Sequence, residues 1–406
     1  MKKRLLILTA SAVILASSCK KETEEEKPVE PVKLEYSNLS VEEHKKTLEK
    51  NGTDFIASIN TLPDEKFISV LKYFFQLDGD VPTYTLPFSS LFSVYSSAQS
   101  GNLYGIFNAV VTPNTKNLSE YYATYTWDFT QKRWVKTASS NKLEIKFPSN
   151  KDSKTNNAVL SFTYTPSTIT STIEGQKYNL PSNTLISLTV DNKEEVKFTG
   201  DYAYKSDGNP TKADIKLAMG SFNLNVGVSS DVKNVSSTLT LTKGNTSLLS
   251  LKTEGNGNAD VNSIINATKI DGILDKANAT FEIMNIKLVG VVDSKSITTE
   301  QAAIFNLTGE AKNIKNVDIL NKYTSIYAAY KNENAIIAKV AFAPITDTYT
   351  YSYWDGTKIV NYSYSRYTNE PRLVFKDGSK LSLEVFTDTG FSKLITELEN
   401  YGKRFE

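Results

Sequence analysis

The side chains that most often carry covalent or acid–base chemistry are scarce in this chain. Among 406 residues there is one cysteine, Cys19, and one histidine, His44. A Ser-His-Asp triad or a Cys-His pair needs a nucleophile beside an imidazole that a third group orients. His44 stands in SVEEHKKTLEK, an early helix, so neither arrangement is expected. Zinc sites draw on several histidine and cysteine ligands, and no metal is expected. There is no Gly-rich phosphate loop, Walker pattern or dinucleotide fingerprint, so no cofactor is expected. Two facing carboxylates about 5–10 Å apart can hydrolyse a glycosidic bond, and that route stays open although no pair of acids stands out. The expectation is a protein that is not an enzyme.

Cys19 has a telling context. Lys2, Lys3 and Arg4 precede an uncharged run from Leu5 to Ala16, and Ala16, Ser17 and Ser18 lead into the cysteine. A charged start and a short apolar run make a secretory signal, too short for the roughly 20 residues of a membrane-spanning helix. With Cys19 at its end, the segment resembles the lipobox of bacterial lipoproteins. That resemblance implies cleavage before Cys19 and acylation of its thiol (palmitate-type) and its new amino terminus. Anchoring by two or more chains is stable where one is marginal, at about 0.8 kcal/mol per buried methylene. The following Lys21, Glu22, Thr23, Glu24, Glu25 and Glu26 resemble the surface-export signal of Bacteroidetes lipoproteins, with Lys21, Glu22, Glu24, Glu25 and Glu26 as its charged members. The implied address is the outer membrane, lipid-anchored and facing the exterior. A charged, solvated tether is the alternative reading of the same run.

Removing residues 1–18 takes three of the 46 basic residues and none of the 45 acids, turning a formal charge of +1 into −2. No basic face is implied, and nucleic acid is not an expected partner. The expected partners are the membrane, through the lipid, and an outer-membrane complex or a glycan or hydrophobic ligand.

The elements that would position a site divide the chain into a signal (1–18), an acidic tether (19–36), a helical segment (37–80), an antiparallel β domain (81–257) and an α+β domain (258–406). Ser40 and Glu43 form a capping box. Val41, His44, Leu48, Phe55, Ile56 and Ile59 recur at helical spacing, and Phe67, Val70, Leu71 and Phe74 line a second helix after Pro63. His44 therefore reads as a packing residue. From about residue 85 the pattern reads as period two, clearest in ADIKLAMGSFNLNVGVSS, with turns at KSDGNPTK and TKGNTS. GNGNAD (255–260) reads as an interdomain turn, Ile264, Ile265, Ile273 and Leu274 as a broken helix, and 281–292 as one buried strand. Thr299–Tyr323 reads as helical or irregular. A helix with Phe391, Leu394, Ile395, Leu398 and Tyr401 on its stripe closes the chain. The fold class is α+β, predominantly antiparallel β, with a short N-terminal helical segment, a β-meander body and a C-terminal antiparallel sheet packed by a terminal helix.

Aromatic residues are the remaining candidates for recognition. Trp127 and Trp134 flank a hairpin loop and read as core. In TDTYTYSYWDGTKIVNYSYSRY (346–367), Asp355-Gly356 signals a two-residue turn pairing Trp354 with Thr357. Tyr349 then faces Tyr362, Tyr351 faces Val360, and Tyr353 and Tyr364 share the same side. A second hairpin with an Asp377-Gly378-Ser379 loop pairs Phe375 with Leu381 and Leu373 with Leu383, a floor for the terminal helix. The tyrosine face reads first as core beside that floor, and alternatively as a ligand platform of Tyr349, Tyr351, Tyr353, Tyr362 and Tyr364. The function that fits is a non-catalytic, lipid-anchored surface lipoprotein acting as a binding or complex-accessory module. A carrier of lipid or another hydrophobic ligand in a half-barrel sheet is the alternative, and a carboxylate glycan hydrolase the third. The body resembles uncharacterised Bacteroidetes lipoproteins in style (WDFTQKRW, LEIKFPS, MNIKLVG), which implies no activity.

Overall fold

A computed structural model describes residues 34–77, 86–111, 118–173, 176–257 and 274–403. Cys19 and the charged run Lys21, Glu22, Glu24, Glu25 and Glu26 lie outside the described residues, as do Ile264, Ile265 and Ile273 of the expected broken helix.

The helices are α1 Val41–Ile59, α2 Lys66–Phe74, α3 Ser89–Ser100, α4 Leu103–Val111, α5 Ser294–Ala303, α6 Gly309–Tyr323, α7 Leu383–Asp388 and α8 Ser392–Gly402. The first ten strands are β1 Ala123–Asp128, β2 Arg133–Ala138, β3 Leu143–Phe147, β4 Ala158–Ile173, β5 Gln176–Val190, β6 Lys193–Tyr204, β7 Pro210–Met219, β8 Phe222–Ser230, β9 Asn234–Lys243 and β10 Thr246–Gly257. Then follow β11 Leu274–Ile283, β12 Ile286–Val292, β13 Thr324–Tyr330, β14 Ala335–Trp354, β15 Ile359–Val374 and β16 Lys380–Ser382. From β3 to β16, strands adjacent in sequence are adjacent in one open sheet; β1 pairs with β3 in parallel and with β2 antiparallel. The fold is α+β and mostly antiparallel β, as the alternation implied. Contacts divide the chain into two units.

One unit comprises residues 51–231, 236–252 and 393–406. Its helical part runs further than the sequence implied, because α3 and α4 occupy residues read as the start of the β domain. Phe88, Leu91, Val94, Tyr95 and Ala98 are buried at helical spacing, and the intervening serines disguise that stripe. Gly101 ends α3 in the left-handed region (φ 74°), its N–H donating to Ala98 and the next N–H to Ser97. The helices cover one face of the strands: the Phe74 and Phe147 ring centres are 4.8 Å apart, and Phe88 meets Phe162 edge-on at 6.3 Å. Trp127 and Trp134 are cross-strand partners, 5.2 Å apart, with Trp134 also meeting Phe74. Trp127 is buried, as the core reading has it, whereas Trp134 is half-buried on the otherwise exposed strand β2. The turns at 205–209 and 244–245 fall where the Gly/Asn signals put them. From the terminal helix, Leu394 packs where a side chain on Gly52 would sit, and the Tyr401 hydroxyl donates to the Gly101 carbonyl.

The other unit comprises residues 1–50, 232–235 and 253–392. The capping box forms as read: the Glu43 carboxylate accepts from the Ser40 N–H (2.8 Å) and hydroxyl (2.7 Å). These bonds hold the Glu43 carboxyl below its ordinary range. The run 281–292 is a hairpin rather than one strand. Ile283 faces Ile286, and Met284 turns the chain at φ 51°, a conformation that no glycine or proline announced. The unit's core joins Ile286, Tyr330, Ile337, Ala338, Phe375 and Phe386, with Val41, Leu48, Leu373, Leu381 and Phe391 against it. Helical cover for Leu373 and Phe375 thus comes from α1 and α7, where the sequence had offered Leu394, Ile395 and Leu398.

Candidate functional site

β14 and β15 pair without a bulge from Lys339–Val374 to Trp354–Ile359. β13 pairs with β14 no further than Val340, and β16 pairs with β15 only over residues 372–374. Residues 342–371 therefore form a two-stranded ribbon that outruns the strands beside it.

Helix α6 braces the base of the ribbon. Asn321 donates to the Phe342 carbonyl (2.9 Å) and accepts from the Phe342 N–H (2.7 Å), replacing a neighbouring strand with one side-chain amide. Buried Asn313 donates to the carbonyls of Thr368 (3.1 Å) and Ile345 (3.4 Å). Gly309 (φ 61°) lies beside the Tyr367 ring, where an added Cβ would be 3.8 Å from it.

The tip differs from the expected turn by one position. Asp355 and Lys358 close it, N–H to carbonyl at 3.0 Å, around Gly356 (φ 100°) and Thr357. The Asp355 carboxylate accepts from the Thr357 hydroxyl and N–H and from the Lys358 N–H, at 2.7–2.9 Å. Those bonds, the Thr357 hydroxyl first, hold the Asp355 carboxyl below the usual range. Three donors reward placing Asp355 just before the two central residues, which a simple Asp-Gly rule misses. The pairing consequently slides by two: Tyr349 faces Tyr364, Tyr351 faces Tyr362 and Tyr353 faces Val360. A slide of two preserves the faces, so the grouping of the five tyrosines stands while their partners change. The second hairpin slides similarly. Leu373 faces Leu381, the Phe375 N–H donates to Ser379, and Leu383 opens α7 with 44 % exposure.

The tyrosine face is open to solvent, which corrects its first reading as core. Tyr349, Tyr351, Tyr353, Tyr362 and Tyr364 are 43–51 % exposed. The covered floor at Leu373 lies nine positions from Tyr364 along β15, roughly 30 Å at about 3.3 Å per residue, so its cover does not reach the rings. The rings touch in one continuous series: Tyr349–Tyr364 at 5.4 Å, Tyr364–Tyr362 at 6.4 Å, Tyr362–Tyr351 at 5.3 Å and Tyr351–Tyr353 at 6.1 Å. On the opposite face, Thr350 pairs with Ser363 (2.8 Å) and Ser352 donates to Asn361 (2.5 Å).

Such a surface supplies no nucleophile and no acid–base pair. It supplies flat, half-held rings with polar tips, which suit recognition. Truncating one ring removes only cross-strand contacts of about 0.2–1 kcal/mol. Tyr351→Ser and Tyr362→Ser are each expected to shift stability by no more than about 1 kcal/mol in urea unfolding. A loss of about 2–4 kcal/mol would return these rings to the core.

The other chemistry-bearing side chain, His44, is 2 % exposed, with Nδ1 2.8 Å from the Tyr330 hydroxyl. Among the described residues no cluster of three or more His, Cys, Asp or Glu could hold a metal ion, and no helix is long and apolar enough to cross a membrane. No protein-family model matches the chain, and no curated protein or solved structure matches it.

Proposed function

We propose that this chain is a non-catalytic binding module, lipid-anchored at the outer membrane and facing the exterior, that takes its ligand or partner on the tyrosine face of the β14–β15 ribbon. The observation that carries the reading is the row of five mutually touching, half-exposed tyrosines on a ribbon that outruns its sheet. Exposed aromatic rings in one patch mark interaction surfaces more often than chance placement does. Holding them on paired strands lowers the ordering cost of binding. The address rests on the sequence, on Cys19 after its short apolar run and on the acids that follow it. The half-barrel carrier asks for space beneath the helices. Phe67, Phe74, Phe88 and Phe147 fill that layer, each at most 1 % exposed, so the carrier gains no support.

Tyrosine nitration tests the platform directly. Tyr349, Tyr351, Tyr362 and Tyr364 should react in the purified, detergent-solubilised protein and be shielded on intact cells. Equal reactivity in both settings would count against a platform. The anchor has its own test: Cys19→Ala should abolish fatty-acid labelling and release protein or leave precursor. Normal labelling of that variant would remove the lipoprotein assignment.

A further inference from the structure

We infer that the tyrosine face binds an uncharged carbohydrate chain laid along the ribbon; this names the ligand class of the binding module proposed above.

Charge is the first argument. Asp347 faces Arg366 at the base of the ribbon, and Asp355 and Lys358 close its tip. Between these two boundaries neither strand carries a carboxylate, an ammonium or a guanidinium, although 22 % of the chain is charged. These four charged residues stand on the tyrosine face at its two ends, each cation opposite a carboxylate. Over the rings between them a charged ligand would lose water and find no counter-charge, which is costly. A neutral ligand meets no such penalty.

The kind of ring is the second. The largest fully buried aromatic side chains are phenylalanines: Phe67, Phe74, Phe88, Phe147 and Phe222. On this face of the ribbon the five touching rings are all tyrosines. Each gives an apolar π-face with a hydroxyl at its rim, and a sugar ring has the matching duality. Its axial C–H bonds present a weakly positive face to the negative π-cloud, while its hydroxyls lie at the edge for hydrogen bonding. Stacking of this kind is sequence-tolerant for nucleobases because every base has a π-face. The same logic suits a chain of repeating sugar rings.

Extent is the third. The contact series Tyr353–Tyr351–Tyr362–Tyr364–Tyr349 is continuous. Positions 349 to 353 span about 13 Å at ~3.3 Å per residue. That length fits several linked rings better than a single sugar.

A lipid surface fits less well. The reverse face carries Thr348, Thr350, Ser352, Asn361, Ser363 and Ser365, with Trp354 and Ile359 exposed only at the tip, and among the described residues the outer edges of the ribbon have no strand partner. In hydrocarbon, each unsatisfied backbone group costs several kcal/mol.

The test is affinity electrophoresis of the detergent-solubilised full chain through gels containing neutral α- or β-linked glucans, mannans or galactans, with polygalacturonate as the charged comparison. At least one neutral polymer should retard it, with little effect of added salt. Tyr351→Ser and Tyr362→Ser should each weaken retardation about tenfold or more, while Ser365→Ala on the reverse face should stay within about twofold. Retardation by the polyanion alone, retardation by none of the polymers, or equal retardation of the tyrosine variants would overturn the inference. So would flotation with phospholipid vesicles that the tyrosine variants abolish. Should the tyrosines be shielded on cells while no neutral polymer binds, the platform stands and the carbohydrate falls. Should they be unshielded and unbound, both fall.

Discussion

Replacing Phe74 with alanine is expected to destabilise the unit that contains it by about 3–5 kcal/mol. The ring is 1 % exposed and lies where α2 meets the strands, with Phe147 at 4.8 Å and Phe92 and Trp134 each at 6.0 Å. The loss combines the transfer of a large apolar ring with a cavity that two regular elements cannot collapse into. Set against typical net stabilities of about 5–15 kcal/mol, that is a large share. Phe75, next in sequence but 43 % exposed, should cost less than about 1.5 kcal/mol when truncated. Fluorescence can isolate the response. The chain has three tryptophans, Trp127 and Trp134 in this unit and Trp354 on the ribbon. In a Trp354→Phe background, urea unfolding followed by tryptophan emission reports on the Phe74 layer alone. Similar costs for Phe74→Ala and Phe75→Ala would mean that the helices do not sit on the strands as described.

That layer also shows where sequence reading succeeds and stops. The α2 stripe Phe67, Val70, Leu71 and Phe74 was legible because four large apolar residues at helical spacing leave no other period. The α3 stripe was not. Phe88, Leu91, Val94 and Ala98 have the same spacing, but serines between them and a valine–tyrosine pair mimic a strand's composition. Tertiary contact with Phe162 then outweighs local propensity. In the strands, the alternation of Ile215, Leu217, Phe222, Leu224 and Val226 gave the buried face, although Val228, which continues it, is 40 % exposed; parity survives small errors in the turn. Register does not survive them. The Asp355 and Asp377 side chains each accept bonds from the residue two positions on, and those bonds place the turns differently from a dipeptide rule. The five tyrosines were found as one face by parity. Their exposure was not legible, because it depends on where β13 and β16 end, and strand ends are set by partners rather than by the ribbon's own residues. Asn313 and Asn321 were missed altogether. A polar residue on an irregular helix reads as solvated, and nothing in sequence says that its amide takes the place of a strand.

A second large effect is expected at His44, and it depends on pH. Its ring is 2 % exposed, stacks on Phe375 at 6.1 Å and meets the Tyr330 hydroxyl at 2.8 Å. Helical spacing placed it on the apolar stripe of α1; the burial is deeper than a half-exposed packing residue would have. His44→Ala removes a filled volume and a buried hydrogen-bond partner, so about 2–4 kcal/mol should be lost rather than the ~1 kcal/mol of a half-buried site. Burial also pushes the imidazole pKa below its ordinary value of 6.5, against a weaker opposing pull from Glu43. Above about pH 6.5 the ring is neutral in both folded and unfolded chains, and its stabilisation is complete. Below that value the unfolded chain takes up a proton that the folded ring resists. Stability therefore falls as pH drops from 6.5 toward the folded pKa, by at most about 1.4 kcal/mol per pH unit, and levels off below it. The neighbouring groups do not imitate this. Burial raises the Tyr330 hydroxyl pKa above 10.0, and its Ser40 bonds lower Glu43 below 4.5. His44 is the chain's one histidine, so no other imidazole contributes. Urea midpoints followed by circular dichroism at pH 8, 7, 6 and 5 should decline below pH 7 in the parent chain. In His44→Phe, which keeps a ring in the site but cannot titrate, that part of the decline should vanish. An unchanged pH profile in His44→Phe would show that the imidazole is charged in the fold or free to reach water, and that α1 is not seated on Tyr330 and Phe375 as described.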